Sequence, residues 1–420
     1  MGMTIAEKIL ASHAGLKEVK AGQYVTAKVD KLMAGHGGYG DTLAKGFRET
    51  GITKVWDPDR VIFIMDHDVP AMDLKVAEEC ATARRFVKEF GITEFYEVGK
   101  GGICHQLMPE KGHALPGTLV AGMDSHTTSY GAFNCAATAI QYPEACYLAA
   151  KGEIWFRVPE TIRYEITGKL PPMIFGKDVI LKIAGDNGTD FAIYKSIEFV
   201  GPAVEQLTLA DRWTMANMGV EVGAKFALFE ADHKTLAFLK GRTKEKFTPV
   251  TSDADALFEQ TIKLDISRLE PQVAFPHEIS NVRPASEAGQ VYINQAFLGS
   301  CTGGRMEDLE AAAKVMGKRK VQAGVRMIVI PASAEIFDKA LSSGLLQQFA
   351  DAGAFIAGPS CGPCGGGSMG VLAAGERCIS TSNRNFKGRM GSTESEVYLS
   401  SAATVAASAV TGYITDPRGI

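Results

Sequence analysis

VYINQAFLGSCTGGRMEDLEAAAKVMGKRKVQAGVRMIVIPASAEIFDKALSSGLLQQFADAGAFIAG, residues 291–358, is the stretch whose pattern decides the fold. Three short apolar runs, VYINQAFLG (291–299), VRMIVI (325–330) and AFIAG (354–358), have the length and composition of buried strands. Between them, MEDLEAAAKVM (306–316) and SAEIFDKALSSG (333–344) carry helical spacing. Strand alternating with helix predicts an α/β architecture with mainly parallel sheets. The same alternation occurs earlier in the chain. VIFIM (61–65) precedes the helix-like MDLKVAEECATARRFVKEFG (72–91), which ends in glycine, and TLVAGM (118–123) follows as another strand. Breaks fall near Arg157-Val158-Pro159 and across the proline-rich stretch Pro271–Pro284, which has no period. They divide the chain into units 1–158, 159–280 and 281–420.

The 420 residues are 46% hydrophobic and 22% charged, an ordinary globular composition that at this length predicts two to four domains. A net charge of -4 leaves no electrostatic footprint for nucleic acid. No run of apolar residues is long enough for a membrane span. The first twenty residues lack a signal peptide's apolar stretch and read as a short amphipathic helix, so a cytoplasmic location is expected.

Eight cysteines are too few for a disulfide scaffold in a chain of this size. Cys361 and Cys364 form a C-x-x-C pair in a glycine-rich loop after a predicted strand, and Cys301 also follows a predicted strand. Ligand sites of parallel sheets lie beyond the carboxyl ends of strands, so the three thiols are candidates to converge. Three thiolates leave one metal corner open, where an iron can act as a Lewis acid on a hydroxyl group. Spacing alone also admits a redox dithiol or a zinc site completed by histidine. Cys378 reads as a buried strand residue, and Cys80, Cys135 and Cys146 as core. Cys104, beside His105, has no clear place.

Acid–base candidates also sit beside glycines or strand ends. Asp66-His67 follows VIFIM, Asp124-Ser125-His126 follows TLVAGM, and His105 lies in GGICHQ. Histidine titrates near neutrality and suits proton delivery to a leaving hydroxyl. Arg384 and Arg389 stand five apart near the end, and arginine binds carboxylates bidentately. Gly35 to Gly40 matches G-x-G-x-x-G, which opens a second reading as a nicotinamide-dependent dehydrogenase. A scaffold binding structural zinc is a third.

Taken in combination, MDHDVPA (65–71), GGICHQLMPEKG (101–112), DSHTTSYGAF (124–133), ANMGVEVGAK (216–225), FLGSCTGGRMEDL (297–309), GPSCGPC (358–364) and STSNRNFKGRMGS (380–392) resemble the aconitase family. The resemblance implies three α/β/α domains around a cluster cleft. It implies that Cys301, Cys361 and Cys364 ligate a [4Fe–4S] cluster whose fourth iron has no cysteine ligand. Asp66 with His67 would protonate the departing hydroxyl. His105 with Asp124, and His126 with Glu221, would form further acid–carboxylate pairs, with Ser125 in the same motif. Asn217 and Asn383 match cluster neighbours, and Arg384 and Arg389 match groups that hold substrate carboxylates. The activity implied is dehydration and rehydration of a small hydroxy di- or tricarboxylic acid. Isopropylmalate, homocitrate, citramalate-type and dimethylmalate-type acids all remain open. The mobile swivel domain of single-chain members has no counterpart here, so a separate small subunit is expected to supply it, with the general base.

The sequence departs from the family pattern at several points. Gly303 stands where asparagine is usual, and Asn134 where glycine is usual. An early acidic or glutamine side chain is displaced or absent at Met33-Ala34-Gly35-His36. AIQYPEA (139–145) replaces a glycine-threonine-rich stretch. These positions are expected to reshape the cleft.

Overall fold

A computed structural model describes residues 2–34 and 40–420. Residues 35–39, which hold His36 and most of the G-x-G-x-x-G match, lie outside the described residues.

The continuous apolar runs form parallel strands, fully buried in VIFIM, TLVAGM and VYINQAFLG as sheets covered on both faces require, whereas AFIAG gives an edge strand with Phe355 exposed and VRMIVI one that begins with exposed Arg326. The first sheet has strand order β4-β3-β2-β5-β6 and is parallel throughout: β2 (Lys31–Ala34), β3 (Val61–Ile64), β4 (Phe95–Tyr96), β5 (Leu119–Gly122) and β6 (Ala136–Ala139). Beside it, β1 (Tyr24–Lys28) pairs antiparallel with β7 (Glu153–Arg157). The second sheet, ordered β10-β9-β8-β11, is also parallel: β8 (Thr161–Thr167), β9 (Ser196–Val200), β10 (Phe226–Phe229) and β11 (Gln260–Asp265). The third has seven strands ordered β13-β12-β18-β17-β14-β15-β16: β12 (Gln272–Ala274), β13 (Val282–Pro284), β14 (Gln295–Leu298), β15 (Arg326–Val329), β16 (Phe355–Ile356), β17 (Arg377–Ser380) and β18 (Glu396–Leu399). β12 runs antiparallel to both its neighbours, β13 and β18, and the other strands share one direction.

β12 precedes residue 281 yet pairs into the third sheet, so a division at 280 falls after that sheet's first strand. The proline-rich stretch hides it because its extended pieces are three residues long and too short to show a period.

Local signals account for the helices. Thr4 and Glu7 form a reciprocal capping box that starts the helix Ile5–His13. The stretch 72–91 is helical over Leu74–Glu89, capped by Asp73, whose side chain accepts from the Val76 N–H. Helices Met306–Met316 and Ala334–Ser342 cross between β14, β15 and β16. Cys378 lies buried in β17, and Cys80, Cys135 and Cys146 are also buried. Among the described residues no helix is long and apolar enough to cross a membrane.

Candidate active site

Five parallel strands end at one place. β3 leads into Asp66-His67, β5 into Asp124-Ser125-His126, and β14 into Cys301. β16 leads into Cys361 and Cys364, and β17 into Asn383-Arg384. A cavity of about 430 Å³ opens there. His67, His105, Asp124, Ser125 and His126 line it, with Cys301, Cys361, Cys364, Asn383, Arg384 and Arg389. Asp66, Asn217 and Glu221 stand behind this lining, each bonded to a residue in it.

The thiols are buried and individually cradled. Cys301 Sγ accepts from Asn217 Nδ2 at 3.2 Å and Asn383 Nδ2 at 3.3 Å. Cys364 Sγ lies 3.8 Å from both Arg389 Nη2 and Ser300 Oγ. Cys361 Sγ lies 3.7 Å from His67 Nδ1 and 3.8 Å from Asp66 Oδ2. Burial pushes the Cys301 thiol up to about 11, with Cys364 adding to the rise. Burial acts the same way on Cys364, but Arg389 and then His126 outweigh it and hold that thiol below its ordinary value.

Each histidine is paired with a carboxylate. Asp66 Oδ1 meets His67 Nδ1 at 2.9 Å, and Asp66 Oδ2 accepts from the Cys104 N–H at 2.8 Å. The second bond explains Cys104: its backbone orients Asp66 while its thiol stays buried. His105 Nε2 meets Asp124 Oδ1 at 2.5 Å, and its Nδ1 meets the Tyr130 hydroxyl at 3.2 Å. His126 Nε2 meets Glu221 Oε1 at 2.6 Å, and the Ser125 hydroxyl lies 3.2 Å from its Nδ1. Burial disfavours charge on His67, yet Cys361 and Asp66 hold its imidazolium well above the ordinary range. Burial likewise opposes ionisation of Asp124, but His105 and His126 keep it well below the ordinary carboxylate range.

Two departures from the family pattern leave the cavity alone. Asn134 takes a left-handed turn at φ 60°, where its amide spans Phe229 O and Val250, away from the thiols. It closes a joint between the first and second sheets. At Gly303, a Cβ would fall 2.2 Å from Thr381 Cβ. The close approach of these two loops excludes any side chain there. The departure at 139–145 does reach the cavity: Ala139, Ile140, Gln141 and Tyr142 line it.

Two supporting groups carry no strong sequence signal. Tyr130 is buried against His105, inside a motif where the neighbouring histidine draws attention. Lys177 is a lysine in a helix, normally a solvated residue, yet it is buried and contacts the loops after β14 and β17.

The model of the aconitase family (aconitate hydratase) matches residues 7–291 and 278–412, nearly the whole chain. The chain belongs to the aconitase family. It is thereby a hydro-lyase, of a family that carries an iron–sulfur cluster. Aconitase-family relatives match from end to end. The 3-isopropylmalate dehydratase large subunit of Syntrophus aciditrophicus is 50% identical over 99% of each chain. The 3-isopropylmalate dehydratase large subunit 1 of Methanopyrus kandleri is 48% identical over 100% of this chain and 99% of that one. The large subunit 1 of Pyrococcus furiosus is 48% identical with the same coverage. The solved structure of Thermococcus kodakaraensis aconitase X in its holo form overlays 93% of this chain and 87% of that one, with a TM-score of 0.49 and 11% identity. That overlay is too loose to carry residues across.

The donor set suits the family's cluster. Three thiols face one cavity, and two asparagine amides aim N–H groups at Cys301 Sγ, as hydrogen bonds to a metal-bound thiolate require.

Proposed function

We propose that this chain is the cluster-bearing large subunit of a 3-isopropylmalate dehydratase, working with a separate small subunit. The convergence of three buried thiols, three carboxylate-paired histidines and two arginines on one cavity carries this reading. Cys301, Cys361 and Cys364 would hold a [4Fe–4S] cluster. When bound, that group supplies an iron without a cysteine ligand as Lewis acid for the substrate's hydroxyl and carboxylate.

The chain's own residues then divide the work. Asp66 accepts from His67 Nδ1, which leaves Nε2 to deliver a proton to the departing hydroxyl. Arg384 and Arg389 hold carboxylates and offset the negative charge that develops when the neighbouring carbon loses its proton. Glu221 anchors Arg384 through its Nε at 2.7 Å and orients His126. Asp124 fixes His105 and accepts from the His126 N–H at 2.8 Å. The base that removes the carbon-bound proton comes, on this reading, from the small subunit.

The apolar part of the cavity lining favours the substrate named. Ile103, Met123, Ala139 and Ile140 add apolar side chains to the cavity lining beside its charged groups. A dicarboxylate with a branched alkyl group presents apolar and anionic faces that match. Homocitrate would place a further carboxylate against these side chains, at a cost in desolvation. Eight unpaired thiols suit a reducing cytoplasm.

Anaerobic purification tests the cluster: a brown protein containing iron and labile sulfide is expected. A colourless protein with stoichiometric zinc after iron–sulfide reconstitution overturns the reading. Co-expression with the genomically adjacent small-subunit candidate then tests the substrate by alkene absorbance. Preferred turnover of homocitrate or of citramalate-type acids would reassign it.

A further inference from the structure

Lys177 lies in the first turn of the helix Gly176–Asn187, which packs between the second and third sheets. Gly176 lets this turn press against the neighbouring helix Leu209–Asn217: a Cβ on it would fall 2.3 Å from Asp211 O. The lysine side chain is thereby delivered, 3% exposed, behind the thiols. Its Nζ donates to Thr302 Oγ1 at 3.2 Å, Thr381 O at 2.9 Å and Ser382 O at 2.6 Å. Three ammonium protons meet three acceptors. Thr302 directly follows Cys301, and Ser382 directly precedes Asn383, so one side chain ties the two loops that meet at Cys301 Sγ.

Hydrogen bonds do not settle the charge. A buried ammonium needs an anion nearby, and among the described residues Lys177 makes no ion pair with a carboxylate. Asp178, which is buried, and Asp308, which is half-buried, are its acidic neighbours, and desolvation pushes both carboxyls up to about 7. Burial pulls the ammonium itself down to about 8, with Cys301 first, then Asp308, Cys364 and Asp178 acting against that pull. Arg305, a second buried cation, donates to Cys301 O at 2.5 Å and to Thr214 Oγ1 at 3.0 Å. Two cations thus back the thiol site, and among the described residues neither side chain is in ion-pair contact with a carboxylate.

We propose that Lys177 is a positioning residue and fixed counter-charge for the cluster, clamping the Cys301 and Asn383 loops while holding one positive charge behind three thiolates. This rests on the cluster reading above. Three thiolates carry more negative charge than an oxidised cluster core carries positive, so the loaded site supplies the anion that the ammonium lacks. A positive charge there makes the cluster easier to reduce and harder to oxidise.

The test uses the full chain reconstituted anaerobically, as wild type and as Lys177→Met, Lys177→Gln and Lys177→Arg. Iron and sulfide content is measured first; a wild-type chain that loads neither would sink the cluster reading and this one with it. In loaded protein, both neutral variants should show a more negative midpoint potential by EPR-monitored titration and several-fold faster iron loss in air. K177R should restore both. Loading should also raise the melting temperature of wild type more than that of K177M, because the unloaded protein buries the ammonium without its anion. Neutral variants that load normally and keep the wild-type potential and iron-loss rate would overturn the proposal. Should neither neutral variant fold, K177R decides: if it loads with a shifted potential, charge is not what the site requires.

Discussion

Glu221 Oε1 lies 2.6 Å from His126 Nε2, although 95 residues separate them. The same oxygen accepts from Arg384 Nε at 2.7 Å. Burial disfavours the Glu221 carboxylate, but His126 and Arg384 reverse that and hold it below its ordinary value. One carboxylate therefore sets both a histidine tautomer and the direction of the arginine proposed to bind substrate.

Glu221→Gln removes that charge while keeping the size. Its effect on the two-subunit enzyme should be a fall in kcat/KM of about 100-fold, or about 2.7 kcal/mol, with a rise in KM as Arg384 loses its anchor. Iron content should stay at the wild-type level. Steady-state kinetics beside an iron assay check this, and an unchanged KM would detach Arg384 from substrate binding.

Asn217 and Asn383 both donate to Cys301 Sγ, and they also bond each other, Asn383 Nδ2 to Asn217 Oδ1 at 3.1 Å. Replacing either by alanine strips a hydrogen bond from the proposed cluster ligand Cys301. Retention of the cluster against a chelator should weaken at least ~10-fold in each variant. Because the two amides share a network, the double variant should cost less than the sum. Additive losses would mean that they act separately.

Ile140 tests the apolar part of the cavity lining, to which Met123 and Ile103 also contribute. Ile140→Ala should lower kcat/KM for isopropylmalate about 10-fold while sparing acids with a methyl in place of the isopropyl group. Equal losses on both acids would place the alkyl group elsewhere.

Glu198 in β9 carries a stability prediction. It accepts from the Ile5 N–H at 2.8 Å and from the Ser252 hydroxyl at 2.7 Å, joining the N-terminal helix to the second sheet. Burial raises its carboxyl from an ordinary 4.5 to about 7. The folded state therefore binds the extra proton between those values. The stabilisation is present below pH 4.5 and is lost as pH rises through 7, by at most about 3 kcal/mol. Urea unfolding of wild type and Glu198→Gln between pH 5 and pH 8 should show the wild type losing stability relative to the variant. Parallel curves would refute the assignment.

Much of the fold is legible locally. VIFIM, TLVAGM and VRMIVI are apolar on both faces, which only a covered parallel strand requires, so their pattern marks them without further context. Asp66 with His67, and Cys361 with Cys364, are close in sequence, and backbone geometry alone keeps such partners near one another. The short β12 escapes because three residues inside a proline-rich stretch carry no periodicity.

The remaining pairings belong to the tertiary structure. His126 finds Glu221, and Cys301 finds Asn217 and Asn383, only because the end of the helix Leu209–Asn217 meets the loops after β5, β14 and β17 at one cleft. From residues alone, those partners came through family resemblance. Asn134 reads as a cleft substitution but is a joint between sheets, and Gly303 reads as a lost side chain but marks contact with Thr381. Lys177 reads as surface and is buried. Hydrophobic period and local spacing are properties of a few consecutive residues, so the chain alone determined its strands, helices and candidate thiols. Burial and charge balance depend on groups hundreds of residues apart, and packing of the three sheets decided them.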